Sequence, residues 1–264
     1  MKFRFPSARI LGRFLWPLAA LVAVSGRAQV TETPETVAPG HFLLRMNALS
    51  VATNIHDSAG GTSSAVALAT TFITTGLTES VDVQVGADIF VSQKYEQGAF
   101  TNRSSGFGDL YLRTKWTFWR DGPAAAALMP YVRLPTDTGV LGKHATQGGI
   151  IVPWAISLPS GGEFRAMARV DLLRNAADNG YGGFWSGSAA FAQPLTSLFK
   201  LYGEATVGKS TNGLAGPGTP WAGTIGGGLQ VHLATLYWWD FAVYRGFTRG
   251  APDWNPVVRV NWGF

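Results

Sequence analysis

The chain has 264 residues, of which 14% are charged and 12% aromatic, with 33 glycines and no cysteine. The lack of thiols excludes a disulfide framework, a thiolate metal site and a cysteine nucleophile, and suits passage through an oxidising compartment. The formal net charge of +5 would favour nucleic acid or an anionic surface if it were spread along the chain. It is not.

Lys2, Arg4, Arg9 and Arg13 precede an apolar run from Phe14 to Val24, and Gly26 and Ala28 stand at the small positions of a cleavage site before Gln29. Residues 1–28 therefore read as a secretory signal peptide, too short for a spanning helix and broken by Pro17. Five of the 21 basic residues and none of the 16 acidic ones lie there, so removal leaves 16 of each sign. Nucleic acid loses its compositional support as a partner. Residues 29–40, QVTETPETVAPG, read as a short exposed periplasmic segment, too short to be a plug domain. Residues 41–264 suffice for one large β domain, and no apolar stretch in them reaches the roughly 18 residues a membrane helix needs.

Twelve strands are predicted, at 42–55, 64–76, 80–93, 107–119, 124–134, 148–158, 163–174, 184–193, 198–209, 221–232, 237–248 and 256–264. Every second link is tight, as at Gly76 to Glu79, Arg120 to Pro123 and Ala234 to Leu236. The links between are mostly longer and polar, such as Lys94 to Gly106 and Pro135 to Gln147. Short inner turns alternating with longer outer loops, with an even strand number, are the signature of an outer-membrane barrel. Within strands the two faces differ sharply. Leu110, Leu112, Thr114, Trp116 and Phe118 oppose Asp109, Tyr111, Arg113 and Lys115, and Val81 to Val91 alternate with Asp82, Gln84, Gly86 and Asp88. Several charges on one face are costly in a protein core and ordinary in a wet lumen. The expected fold is all-β, a transmembrane antiparallel up-and-down β-barrel of about twelve strands in the outer membrane.

Aromatic residues gather at the predicted strand ends in two girdles. Arg174, Lys209 and Arg245 fall on the lipid face near outer strand ends, where long basic side chains snorkel toward headgroups. The last strand carries Val260, Trp262 and Phe264 on one face, the pattern of an assembly signal read by the barrel-assembly machinery.

The run Gly106-Phe107-Gly108-Asp109-Leu110, followed by Leu112-Arg113 and Lys115-Trp116, then Tyr131-Val132-Arg133-Leu134-Pro135-Thr136, resembles the outer-membrane family of meta-pathway phenol-degradation proteins, often labelled transporters. Gly76 to Ser80 and Tyr244 to Thr248 are similar to the family's recurring pieces. The resemblance implies a barrel that passes small hydrophobic molecules, and supplies no binding residues.

An inward parity falls to Asp82, Asp88, Asp109, Asp171, Glu204 and Asp240, and to Arg113, Lys115, Arg133, Arg165, Arg169 and Arg259. These twelve are the candidate lumen lining, either a selectivity filter or a lattice of ion pairs that stiffens a narrow barrel. The competing enzymatic reading, a barrel lipase or lipid A deacylase, rests on His56-Asp57-Ser58 in an outer loop. Turn-favouring composition accounts equally for that loop. His41, His144 and His232 are dispersed and form no metal-ligand spacing, and no cofactor is implied. The function expected is passive passage of small solutes, aromatic or hydrophobic ones among them, across the outer membrane. A lipid-acting barrel enzyme and a closed structural or adhesive barrel are the alternatives.

Overall fold

A computed structural model describes residues 31–57, 60–138, 141, 145–175, 179–211, 214 and 219–264. Among them the alternating segments form β1 (Phe42–His56), β2 (Thr62–Thr78), β3 (Val81–Gln97), β4 (Phe100–Gly106), β5 (Leu110–Asp121), β6 (Ala124–Leu134), β7 (Gln147–Ser157), β8 (Glu163–Arg174), β9 (Tyr181–Pro194), β10 (Phe199–Ser210), β11 (Ala222–Ala234), β12 (Tyr237–Gly246) and β13 (Trp254–Gly263). Each strand pairs antiparallel with its neighbours, and β1 pairs with β13 from Leu43↔Gly263 to Thr53↔Trp254. The sheet therefore closes, leaving no edge with unpaired backbone to face lipid. The inner half of β3 pairs with β5 and its outer half with β4, so β4 and β5 share one place in the wall of a closed twelve-stranded barrel.

That shared place corrects the expectation of a polar loop from Lys94 to Gly106. The chain continues as a hairpin, with Gln97 opposite Phe100 and Gly98 at φ 57° supplying the positive-φ corner. The hairpin's second strand, FTNRSSG, is half-buried to exposed apart from Ser104 and carries no apolar stripe.

The alternation also reverses within β3. Asp82, Gln84 and Asp88 point inward, but so do Val91, Gln93 and Tyr95, while Ile89 and Phe90 are both exposed. The reversal spans three neighbours at one level: a bulge at Ala48 between Asn47 and Leu49 of β1, Ala69 at φ 53° in β2, and Ile89 in β3. A shared bulge flips every side chain beyond it, which moves Val91 from the expected lipid face to the lumen.

Two prolines interrupt the wall around β6. Its pairing with β7 breaks between Ala126↔Trp154 and Met129↔Ile151, where the register sets Ala127 opposite Pro153. Its pairing with β5 breaks between Arg113↔Tyr131 and Trp116↔Leu128, where Thr114 faces Pro130. Proline has no N–H to give the ladder. On the inner wall, rings lie flat over glycines. A Cβ on Gly208 would stand 2.5 Å from the Phe184 ring, and one on Gly228 2.6 Å from the Tyr202 hydroxyl.

Candidate functional site

All twelve candidate lumen residues stand on the inner side of the wall, eleven of them buried and Arg165 half-buried. The arrangement joins them in pairs. Arg133 Nε donates to Asp109 Oδ2 at 2.5 Å, Arg169 Nε to Asp171 Oδ1 at 2.6 Å and Arg259 Nη1 to Asp240 Oδ2 at 2.9 Å. Lys115 Nζ lies 4.0 Å from Asp82, and Arg165 pairs with Glu163 at 2.6 Å. Four tyrosines complete the carboxylates: Tyr111 donates to Asp88, Tyr131 to Asp171, Tyr202 to Asp240 and Tyr244 to Glu204, at 2.5–3.0 Å. A carboxylate holding both a guanidinium and a phenol hydroxyl regains much of what it loses on leaving bulk water. These tyrosines share the inward parity of the charges, a signal the charge pattern alone passes over.

The N-terminal segment is the site's other half. Instead of lying exposed beneath the barrel, it enters the lumen, with Thr31, Glu32 and Pro34 buried. Near Pro39 it bridges Gly76 at the inner turn, where a Cβ on residue 76 would stand 2.5 Å from the Ala38 carbonyl carbon. Further in, Val37 N donates to Asp82 Oδ2 at 3.2 Å, Lys115 Nζ to the Glu35 carbonyl at 2.9 Å and Thr117 Oγ1 to the Pro34 carbonyl at 2.5 Å. Glu32 pairs with Arg45 at 3.0 Å and Arg113 at 3.5 Å, and Arg113 lies 3.9 Å over the Phe72 ring. Deepest, the Thr31 N–H and hydroxyl both donate to Glu204 Oε1 at 2.6 Å. Eight residues with no secondary structure of their own thus obstruct the lumen. Their polar, proline-bearing sequence has no period, and its partners are remote in the chain, which is why it reads as a free tail.

Outward of Thr31 a cavity remains open, lined by Arg169, Phe184, Ser186, Thr224, Tyr244 and Asn255 among others. It offers aromatic faces beside hydroxyl and amide partners. Arg45 and Lys200 with Glu32 and Glu163 add two ionic groups of each sign to the interior, and Arg120 with Glu35 adds an exposed third pair at the inner end.

At the outer end, His56 Nδ1 contacts Thr62 Oγ1 at 3.3 Å, while Asp57 accepts from Gly61 N at 2.7 Å and Tyr95 Oη at 3.0 Å. Burial first, and Asp57 beside it second, push the Tyr95 hydroxyl up to about 12. Asp57 thereby ties the first outer loop to the hairpin. Ser58, His144 and the leader at 1–28 lie outside the described residues. His232 stacks on Trp238 at 5.6 Å, and the His41 carbonyl accepts from Thr75 Oγ1. No group of three metal-binding side chains occurs among the described residues.

At the closing seam, Phe264 exchanges backbone hydrogen bonds with Phe42 and stacks on its ring at 5.5 Å, with Trp262 at 5.4 Å. Val260 pairs with Met46 and Trp239.

The solved structures similar to this chain are outer-membrane barrels, and the protein is an outer-membrane β-barrel. The COG4313 outer membrane channel from Pseudomonas putida F1 matches with a TM-score of 0.68 at 11% identity, over 87% of this chain and 97% of its own. The translocator domain of the autotransporter NalP from Neisseria meningitidis matches at 0.51 with 15% identity, over 97% and 95%. The NanC porin matches at 0.50 with 11% identity, over 82% and 99%. At these identities the likeness concerns the fold. Among curated proteins, none matches the sequence. A family model does match, over residues 25–262, and by that match the chain belongs to the family described as the MetA-pathway of phenol degradation.

Proposed function

We propose that this protein is a passive outer-membrane channel for small, weakly charged molecules, with phenol-like aromatics as its natural class, and that the N-terminal segment sets its open state. The observation that carries the reading is the nature of the obstruction. A permanently closed barrel needs an inner face that fills its own lumen, whereas here residues 31–38 fill it through polar contacts with the wall, leaving a cavity outward of Thr31. Most of these contacts have at least one charged partner, at Glu204, Asp82, Lys115 and Glu32, each contributing about 1.5–3 kcal/mol net and each exchangeable for water when the segment withdraws. If the leader is cleaved after Ala28, only two residues precede Thr31, so the segment is a chain end free to withdraw toward the periplasm.

The aromatic and hydroxyl lining of the cavity, with the family's description, supports phenolic solutes over larger or highly charged ones. Entry into liposomes tests this, comparing phenol, a neutral sugar and a dicarboxylate for the full chain and a variant lacking residues 29–38. Faster entry of every solute into the shortened protein's liposomes, with phenol ahead in the full chain, is the expected result. Entry of all three solutes no faster than into protein-free liposomes, with both proteins, would end the channel reading.

A further inference from the structure

The outer face of the barrel carries a second feature, on the half formed by β8 to β13. Three basic side chains stand there on the lipid-facing parity, each at the outer end of its strand and each against an aromatic ring at, or just before, the start of the next strand. Arg174 lies 5.3 Å from the Tyr181 ring centre, Lys209 5.2 Å from Trp221 and Arg245 5.2 Å from Trp254. Trp185, paired in register with Lys209, and Phe247 extend the same belt outward. At the inner end the basic residues turn instead to carboxylates of this chain: Arg165 and Lys200 to Glu163 on the inner side of the wall, and Arg120 to Glu35 in an exposed pair. Among the described residues these three recur at the outer end of the β8 to β13 half, whereas on the β3–β4 hairpin the outward Lys94 is paired with Glu96 at 2.7 Å. Arg174, Lys209 and Arg245 stand on every second strand with the same stagger, Arg174 level with Tyr181 and Lys209 with Trp185 on β9, so the backbones of neighbours stand about 16 Å apart.

We propose that this outer rim is a binding site for the phosphates of an outer-leaflet glycolipid, the lipid A portion of lipopolysaccharide, with Arg174, Lys209 and Arg245 as its cations. Charge complementarity identifies the occupant. A cation at the lipid–water boundary meets either water or headgroup phosphate, and a ring beneath it fixes the alkyl stem while leaving its polar end directed outward. Two phosphates joined by a rigid disaccharide span two such positions at once, which a lipid with a single phosphate cannot do. The rings contact the upper acyl chains.

Native mass spectrometry of the refolded protein with lipid A, lipid A stripped of its phosphates, and phosphatidylglycerol tests the site. The full chain should retain lipid A in preference to the other two. The variant Arg174→Gln/Lys209→Gln/Arg245→Gln should bind it roughly a hundredfold more weakly, since each cation near an anionic surface accounts for about a factor of five. Heat-modifiable gel mobility verifies that the variant is folded, and the single variant Arg245→Gln, with a smaller loss, serves if it is not. Unchanged lipid A retention in a folded variant overturns the site, and equal retention of phosphatidylglycerol overturns the assignment of its occupant. Neither outcome bears on solute passage, which the liposome assay reads separately.

Discussion

Adjacent residues in one strand divide the two environments. Leu112 is 52% exposed on the outer face between Val85 and Val132, while Arg113 is 3% exposed against Phe72 and Glu32. Leu112→Arg should lower folding stability by about 1–4 kcal/mol depending on depth in the bilayer, measured by denaturant titration in lipid vesicles. Arg113→Leu should act through the segment instead. It removes a cation facing Glu32 while keeping a side chain over Phe72, so its main effect should be higher single-channel conductance with less change in stability. Glu204→Gln provides a matched case at the segment's tip, weakening the acceptor that Thr31 reaches with both its N–H and its hydroxyl. If neither lumen variant changes conductance while both unfold more readily, these contacts serve the wall and not the segment.

The strands show how far period-two reading reaches. It found the wall because lipid on one side and paired charges on the other impose the same alternation on nearly every strand. The reversal at Ala48, Ala69 and Ile89 escaped it, since a bulge changes parity with no change of composition. So did the β3–β4 hairpin, whose second strand has no apolar stripe, and the buried tail, whose partners lie on distant strands. The lumen charges were legible by parity, whereas their tyrosine partners needed the register between strands. Backbone defects are likewise visible only in register, and they carry a prediction. Amide exchange should be faster at Ala127 and Leu128, beside Pro153, than at Ala189 and Ala190, where β9 pairs without a break with β10. Equal protection would mean that packing alone holds the β6 seam. At the closing seam, deletion of Phe264 removes its stacking on Phe42 and two backbone hydrogen bonds, and should reduce the folded fraction seen by heat-modifiable gel mobility. An undiminished folded fraction would place the assembly signal elsewhere in β13.

On the scale of the whole barrel, charge balance decides which ions pass. The wall candidates number six of each sign, and the further groups at the segment and inner end add three of each, so the obstructed lumen has no net field to favour one ion. A planar bilayer holding the full chain under a salt gradient should therefore give low conductance and a reversal potential near zero. Withdrawal of residues 29–38 breaks that balance in a known direction. It takes away Glu32 and Glu35 and leaves Arg45, Arg113 and Arg120 on the wall without their carboxylates, so the open lumen and its inner end carry nine basic groups against seven acidic ones. The shortened protein should thus conduct more and move its reversal potential toward anions, and the shift should shrink at high salt as the Debye length falls to about 3 Å at 1 M. Lys115 adds to the same side, because it loses the Glu35 carbonyl while keeping only a 4.0 Å approach to Asp82. Two results would contradict this account: conductance that rises with no change in selectivity, which would route ions away from β1 and β5, or a shift toward cations, which would require Asp82 and Glu204 to govern the open lumen once Val37 and Thr31 have left them.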